Sequence, residues 1–204
     1  ITHKMSLRAS VTSELTFENL RLPADAVFPD VTGLKGPLAC LSEARYGIVW
    51  GALGAARSSL DAARRYSMER IQFGRPIAGF QLTQAKLANM ATELQLGQLL
   101  ALHLGRRKDT VGLRPEQVSV GKYNNITKSI EICRTARTIL GANGVSGEYP
   151  VLRHANNLES VLTMHLGGSS YAQIAEALGI SERNVSVRLT RARKRLENFL
   201  TPRC

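Results

Sequence analysis

The sequence predicts a mainly α-helical protein, in which an up-down helical bundle is preceded by one β-strand and followed by a helix-turn-helix. Three long segments carry apolar residues every three or four positions, which is the helical period. A short alternating stretch precedes them, and two short helical segments follow at the end of the chain. Because the long segments are joined by short connections, we expect neighbouring helices to run antiparallel.

The strand is predicted near the start of the chain, over residues 11–17. Val11, Ser13, Leu15 and Phe17 alternate there with polar residues, and a period of two fits a strand with one buried face. Prolines and glycines then mark a loop up to residue 37. We therefore expect this part to lie outside the bundle.

The first helix is predicted over residues 38–70, and the segment 71–80, with two glycines and a proline, is predicted as a loop. Gly47, Gly51, Gly54 and Ser58 are spaced three or four residues apart in the helix. Each glycine lowers helix propensity by roughly 1 kcal/mol relative to alanine. This stripe predicts a second helix packed closely against it.

The second helix is predicted over residues 82–107, and Pro115 suits the first turn of the third. Gly141 and Gly144 should end the third helix. The predicted inner faces are Leu87, Met90 and Leu94 in the second helix, and Ile126, Ile130, Cys133, Ala136 and Leu140 in the third.

Composition narrows the possible functions. The formal net charge is +11, which favours an anionic partner such as nucleic acid, a nucleotide cofactor or a coenzyme A phosphate. The three cysteines are far apart and odd in number, which fits reduced thiols in the cytoplasm. The four histidines lack metal-ligand spacing. No stretch reaches the roughly 18 apolar residues of a membrane span, so neither a metal nor a membrane is predicted.

Six segments in order give residues 6–160 a resemblance to the acyl-CoA dehydrogenase family, in particular to its glutaryl-CoA type. They are SLRASVTSELTFENLRLP, ARYGIVWGALGAA, RIQFGRPIAGFQLTQ, GQLLAL, ILGANG and YPVLRHANNLES. The resemblance implies FAD as cofactor, acyl-CoA as substrate, a tetramer, and oxidation between the α and β carbons. It also implies that residues 1–37 end the middle β-domain, with a remnant strand, and that residues 38–162 form most of the carboxyl-terminal helical bundle.

The resemblance assigns roles residue by residue. Arg70, Phe73 and Gly74 match the segment that contacts the flavin of a neighbouring subunit. Gln81 matches a second flavin-side position, and the run from Gly141 to Gly144 matches a loop whose backbone meets the cofactor. An arginine suits such a position because its planar fork pairs with pyrophosphate oxygens. Arg45 matches a position near the bound acyl-CoA. Each position also has a purely structural alternative. Arg70 could be a surface arginine after a helix, and the glycines could be an ordinary helix stop. Arg45 could form a salt bridge at a helix start.

The family pattern breaks after Ser160. Relatives continue there into a Tyr-Glu-Gly-Thr stretch whose glutamate is the catalytic base, whereas this chain continues Val-Leu-Thr-Met-His. Proton abstraction needs a base within hydrogen-bond reach. We therefore assign no catalytic residue and expect this chain alone to lack dehydrogenase activity. The last bundle helix of the family is also absent from the predicted bundle.

The tail, residues 163–204, carries seven basic and three acidic residues. Its segment SSYAQIAEALGISERNVSVRLTRARKRL, residues 169–196, resembles region four of bacterial RNA polymerase sigma factors. Ser181 would be the N-cap of the second helix, after a turn that contains Gly179. The resemblance implies binding to double-stranded DNA and contact with RNA polymerase.

The second tail helix divides into two faces. An inner stripe begins at Val185, which leaves Arg183, Asn184, Val187, Arg188 and Arg191 to face the major groove. Arginine reads guanine and asparagine reads adenine. Arg193, Lys194 and Arg195 are placed for phosphate contacts, which add affinity without sequence information. The alternative is a solvated basic helix.

Three interpretations of the whole chain stay open from the sequence. The first is a chimera of an incomplete dehydrogenase and a DNA-binding tail. The second is an active dehydrogenase subunit completed by a partner chain. The third is a transcription regulator that forms homo-oligomers through the helical bundle. We rank DNA binding above catalysis because the DNA-binding unit is nearly whole and the active site is not.

Overall fold

Four α-helices dominate the computed structural model, which describes residues 3–11 and 13–166. They are α1 (Lys35–Glu69), α2 (Gln81–Thr110), α3 (Pro115–Leu140) and α4 (Val151–Leu166). Two strands, β1 (Ile71–Gln72) and β2 (Arg75–Pro76), pair antiparallel between α1 and α2. Three single turns of 3-10 helix complete the set: Ala24–Ala26, Ile77–Gly79 and Gly141–Val145. Residues 1–165 form one compact unit.

Helices α1 and α2 pack antiparallel through glycines of α2. A Cβ atom on Gly97 would lie 2.6 Å from a methyl of Leu53, and one on Gly105 would lie 2.6 Å from the Tyr46 hydroxyl. Gly105 comes later in α2 than Gly97, and its partner Tyr46 comes earlier in α1 than Leu53. The two helices therefore run in opposite directions. A larger residue at either position would force the facing side chain of Leu53 or Tyr46 to move.

Helix α3 returns alongside α1 in the same direction, and α4 runs back. Val49 lies beside the Cα of Gly121, and the Ser59 hydroxyl is 3.2 Å from the Cys133 thiol. Helix α4 packs its Ala155 and Leu158 against the buried residues of α1 and α3. Helices α1, α2 and α3 form the predicted up-down arrangement, to which α4 adds a fourth helix.

Asn125 joins three of the helices at the centre of the bundle. Its side-chain amide donates hydrogen bonds of 3.1 Å to the carbonyl of Val49 in α1 and of 3.1 Å to the carbonyl of Gly97 in α2. Its carbonyl oxygen accepts a hydrogen bond of 3.0 Å from Asn124. Asn125 is fully buried, so these partners satisfy a polar group that water cannot reach.

The predicted helices and their inner faces are confirmed. Helices α1, α2 and α3 start and end within three residues of the predicted bounds, which is ordinary uncertainty for helix ends. Met90 and Leu94 are buried and Leu87 is partly buried. The whole predicted stripe of α3 is buried, and Gly141 ends that helix with φ near 60°.

The predicted strand over residues 11–17 is wrong for the residues that the structure describes there. None of residues 11 and 13–17 is in a strand, and all are exposed. An extended segment needs neighbouring strands to pair its backbone groups. The described chain offers only β1 and β2, which pair with each other.

The predicted close packing on the small-residue stripe of α1 is also wrong. A Cβ atom on Gly47, Gly51 or Gly54 would find no other atom within 4 Å, and all three are exposed. Only Ser58 at the end of the stripe contacts another helix, through a 3.3 Å hydrogen bond to His154. Small residues allow close approach but do not by themselves supply a partner.

Two further elements were not predicted. The segment 71–80 contains the hairpin of β1 and β2 and a 3-10 turn, where a plain loop was expected. Helix α4 was not predicted, although Val151, Ala155 and Leu158 follow helical spacing and are buried. The predicted domain bound between residues 162 and 163 falls inside α4.

No helix of the described residues is long and apolar enough to cross a membrane. The predicted helix-turn-helix lies outside the described residues.

Replacement of Asn125 by leucine should destabilise the bundle by about 1–3 kcal/mol. The carbonyls of Val49 and Gly97 would lose the hydrogen bonds that the Asn125 amide donates across to α1 and α2. Chemical unfolding followed by circular dichroism would measure the loss. The matched control is Asn124→Leu, since among the described residues the Asn124 side chain donates a hydrogen bond to Asn125 and to no other helix. Equal losses in both variants would contradict the central role of Asn125.

Candidate functional site

The sequence-predicted flavin positions lie at the end of the bundle where α1 stops. Tyr66 organises this end: its carbonyl accepts a 2.8 Å hydrogen bond from the Arg70 amide, and its hydroxyl accepts one of 3.0 Å from the Asn143 side chain. The Tyr66 ring also meets the ring of Tyr149 edge-on, with centroids 5.9 Å apart. The segment after α1 and the turn after α3 are therefore held together.

The hairpin projects an aromatic ring from this end. Phe73 is 92% exposed and has φ near 51°, and Gly74 follows with φ near 77°. Two consecutive left-handed residues make the tight turn that joins β1 to β2. Phe80 supports the turn, because Phe73 meets it edge-on and the Arg75 guanidinium lies 4.2 Å from its ring centroid. The exposed ring of Phe73 is thus held by Phe80, whose ring also carries the Arg75 guanidinium.

The turn after α3 depends on glycine at two positions for different reasons. Gly141 has φ near 60°, a conformation that L side chains rarely adopt, and the space beside its Cα is open. Gly144 is buried, and a Cβ atom there would lie 2.4 Å from the carbonyl oxygen of Arg137. The first glycine leaves backbone accessible to a ligand, and the second allows the turn to pack on α3.

These groups have the chemistry that a dinucleotide requires. Arg70 is exposed and makes no ion pair with any described residue, so its fork is free for an oxyanion. Gln81 is the exposed first residue of α2. An exposed flat ring, a free guanidinium and open glycine backbone fit a flavin dinucleotide, whose parts are aromatic, anionic and polar.

Arg45 lies far from this site. It is in the third turn of α1, about 25 residues before Arg70, which corresponds to roughly 37 Å along a helix. Its neighbour is Lys122 of α3, which is 7% exposed. Burial first, and then the charge of Arg45, lowers the pKa of the Lys122 amine. Arg45 therefore lies apart from the sequence-predicted flavin positions.

Sequence reasoning gave no individual role to three residues that shape the site. Tyr66 and Asn143 join the two segments that carry the sequence-predicted flavin positions, and Arg75 stacks on Phe80. The tyrosine lies on the inner helical face that also carries Ala62, so its position was readable as core. The hydrogen bond between its hydroxyl and Asn143, 77 positions away, could not be read from the sequence.

Among residues 3–11 and 13–166, no group of three or more histidine, cysteine or acidic side chains could hold a metal ion. The predicted DNA-contacting residues, from Arg183 to Arg195, lie outside the described residues.

Comparison with known proteins identifies the domain. The family profile of the acyl-CoA dehydrogenase C-terminal domain matches residues 32–179, a range that ends inside the predicted tail. A glutaryl-CoA dehydrogenase from Desulfococcus multivorans is 36% identical over 152 residues, which are 74% of this chain and 39% of that protein. The chain spans about two fifths of the length of that relative.

Solved structures agree on the fold. The crystal structure of glutaryl-CoA dehydrogenase from Mycobacterium smegmatis matches with a TM-score of 0.76 and 64% identity, over 81% of this chain and 43% of that one. A structure of a glutaryl-CoA dehydrogenase from the same organism in complex with FADH2 matches with a TM-score of 0.77 and 59% identity, over the same shares. The described chain therefore has the fold of that C-terminal domain.

Replacement of Gly144 by alanine should lower the stability of the bundle by about 1–3 kcal/mol, because the new methyl group overlaps backbone that cannot move freely. Gly147→Ala is the matched control, since a Cβ atom there would meet nothing within 4 Å. Thermal unfolding of both variants would compare them. A Gly144→Ala protein as stable as the control would show that the turn is not tightly packed.

Proposed function

Since the chain belongs to the acyl-CoA dehydrogenase family, we propose that it supplies the flavin-contacting surface of a glutaryl-CoA-type dehydrogenase. The proposal rests on one observation. An unpaired arginine, an exposed aromatic ring and open glycine backbone lie together at one end of the bundle. The proposed cofactor is FAD. When bound, it would supply the acceptor for the hydride that the acyl-CoA loses.

Each residue has a separate role in the proposed site. Arg70 pairs with the pyrophosphate, because no described carboxylate competes for it. Phe73 covers one flat face of the cofactor, and Gly74 lets its turn approach closely. Gly141 presents open backbone from the turn after α3, and the buried Gly144 holds that turn against α3 so that it can meet the cofactor. Gln81 hydrogen-bonds from the start of α2.

The proposed substrate is an acyl-CoA, with Arg45 near its bound position. No described residue is proposed as the catalytic base, so the chain alone should not oxidise an acyl-CoA. Activity would require a partner that brings a base, since positioning of substrate and base supplies much of the rate. The bundle is proposed to form homo-oligomers, which would bring the surface of one copy to the flavin of another.

The second candidate function belongs to the tail, and it is favoured by the density of basic residues over residues 163–204. The chain would then be a chimera, with double-stranded DNA and RNA polymerase as partners of its tail. Its proposed base-reading residues are Arg183, Asn184, Val187, Arg188 and Arg191, and its phosphate contacts are Arg193, Lys194 and Arg195.

Titration of the purified chain with FAD, followed by flavin fluorescence anisotropy, tests the flavin surface. Arg70→Ala should weaken binding about tenfold, because a charge-assisted hydrogen bond contributes roughly 1.5–3 kcal/mol. Arg106→Ala, an exposed arginine of α2, should bind like the unaltered chain. Glutaryl-CoA should leave the bound flavin oxidised. Absence of saturable binding, or equal affinities in both variants, would refute the flavin surface.

Binding of labelled duplex DNA across a salt series tests the tail. Affinity should fall steeply with salt, since phosphate contacts release counterions. Arg191→Ala should weaken binding roughly tenfold, whereas Arg153→Ala, on the exposed side of α4, should not. A salt-independent affinity, or no binding at low salt, would remove the DNA-binding proposal and leave the flavin surface unaffected.

A further inference from the structure

The turn after α3 contains an asparagine whose side chain is chemically labile because of the residue that follows it. Asn143 precedes Gly144, and no other asparagine of the chain precedes a glycine. A glycine has no Cβ atom, so its backbone nitrogen can approach the side-chain carbonyl of the preceding asparagine with little steric hindrance. Asparagine followed by glycine is therefore the sequence in which the side-chain amide is lost most readily.

Asn143 is also accessible to water. The residue is exposed and lies in the 3-10 turn Gly141–Val145. Asn125 differs in both respects, because its amide is fully buried between the helices and the residue that follows it is an isoleucine. Water and hydroxide can therefore reach the Asn143 amide, and the chemistry that removes it needs no other reagent.

We propose that Asn143 is a site of spontaneous deamidation and that the Tyr66 hydroxyl sets its rate. In the first step, hydroxide removes the proton of the Gly144 amide, and that nitrogen attacks the side-chain carbonyl carbon of Asn143. A cyclic imide forms as the side-chain amide bond breaks, and the released nitrogen takes a proton from water and leaves as ammonia. Water then opens the imide at either carbonyl, which leaves aspartate or isoaspartate in place of the asparagine.

Two contacts oppose the first step. The Asn143 amide donates a 3.0 Å hydrogen bond to the Tyr66 hydroxyl, which holds the side chain against α1. The backbone carbonyl of Asn143 accepts a 3.1 Å hydrogen bond from the Ser146 amide, which keeps the turn closed. Imide formation requires the side chain to fold back over its own backbone, so the hydrogen bond to Tyr66 must break first. The fraction of time that the turn is open therefore sets the rate.

The products differ from asparagine in charge and in the length of the main chain. A carboxylate accepts hydrogen bonds but does not donate them, so the contact with the Tyr66 hydroxyl must reverse its direction. Isoaspartate also inserts an additional carbon into the main chain directly before Gly144. That glycine is buried, and a Cβ atom there would overlap the carbonyl oxygen of Arg137. Because the turn is tightly packed at this point, the longer main chain should loosen it.

The consequence for the flavin rests on the proposed function, whereas the modification site itself does not. If the turn meets FAD as proposed, a new carboxylate in it repels the anionic pyrophosphate and weakens binding. Deamidation is then a slow and irreversible loss of the flavin surface. Bound FAD would slow the reaction, because a ligand stabilises the closed turn that it binds.

The test is incubation of the full-length chain at mildly alkaline pH, with peptide mapping by mass spectrometry at intervals. The peptide that contains Asn143 should gain the mass difference between an amide and a carboxylic acid, and faster at higher pH. Tyr66→Phe keeps the ring and removes the hydroxyl, so it should speed this gain about fivefold, as the loss of one hydrogen bond predicts. Tyr149→Phe is the matched control, since it removes a hydroxyl from the adjacent ring and should leave the rate unchanged.

The same maps contain internal controls. Asn89 is exposed and precedes a methionine, so it should keep its amide throughout. The chain unfolded in urea should convert Asn143 fastest, because neither opposing contact remains, and circular dichroism would verify that the tyrosine variants are folded. The proposal is overturned by equal rates in the two tyrosine variants. It is also overturned if Asn143 stays unchanged in the folded chain and in Tyr66→Phe while it converts in urea.

Flavin titration separates the modification from the proposed function. Asn143→Asp should bind FAD about tenfold more weakly than Asn143→Ala, because both variants lose the amide but only the first adds a negative charge. Equal affinities would overturn the repulsion of the flavin. Deamidation of Asn143 in a chain that does not bind FAD would support the modification site and refute the flavin surface.

Discussion

The buried amide of Asn125 sets the distance between the three long helices, and the rest of the described structure follows from that distance. One side chain donates to carbonyls of both α1 and α2, so both helices must lie within hydrogen-bond reach of α3 at one level. Such an approach is possible only where the facing residues are small. Gly97 and Gly121 supply that space: a Cβ atom at either would lie under 3 Å from a leucine methyl. The hydrogen bonds of Asn125 therefore depend on the two glycines that let the helices approach.

Because the helices are held together at the centre of the bundle, the positions of the segments at its two ends are also determined. Because α1 and α3 run in the same direction and lie side by side, the C-terminal end of α1 and the turn after α3 emerge at the same end. The Tyr66 hydroxyl then bridges them through Asn143. Arg45 is in an early turn of α1 and thus close to the opposite end, where it meets Lys122. Helix direction alone therefore separates Arg45 from the flavin positions at the other end of α1.

The sequence predicts the helices well because their signal is local. The stripe from Ile126 to Leu140 is visible as helical spacing, and the same residues are buried. The strand prediction over residues 11–17 failed because alternation shows only that one face is apolar, and pairing depends on strands elsewhere. The close packing predicted for the stripe from Gly47 to Gly54 failed for a related reason. The spacing of small residues shows that a surface permits close packing, but it does not show which element packs there. The candidate site positions come from the resemblance and stay a prediction. The link that Tyr66 makes between them was not predictable, since a contact across 77 residues leaves no local pattern.

The exposed apolar residues of the chain divide into two physical kinds. Those between residues 11 and 34, including Phe17 and Phe28, lie in irregular chain, so they define no single partner geometry. Leu82, Leu96 and Leu99 lie on helix α2, whose other face is already fixed by the core. The positions of these three leucines relative to one another are therefore fixed by the helix itself. Exposure of apolar side chains thus has two physical origins in the described chain: segments without regular structure, and a helix with more apolar residues than its one packed face can bury.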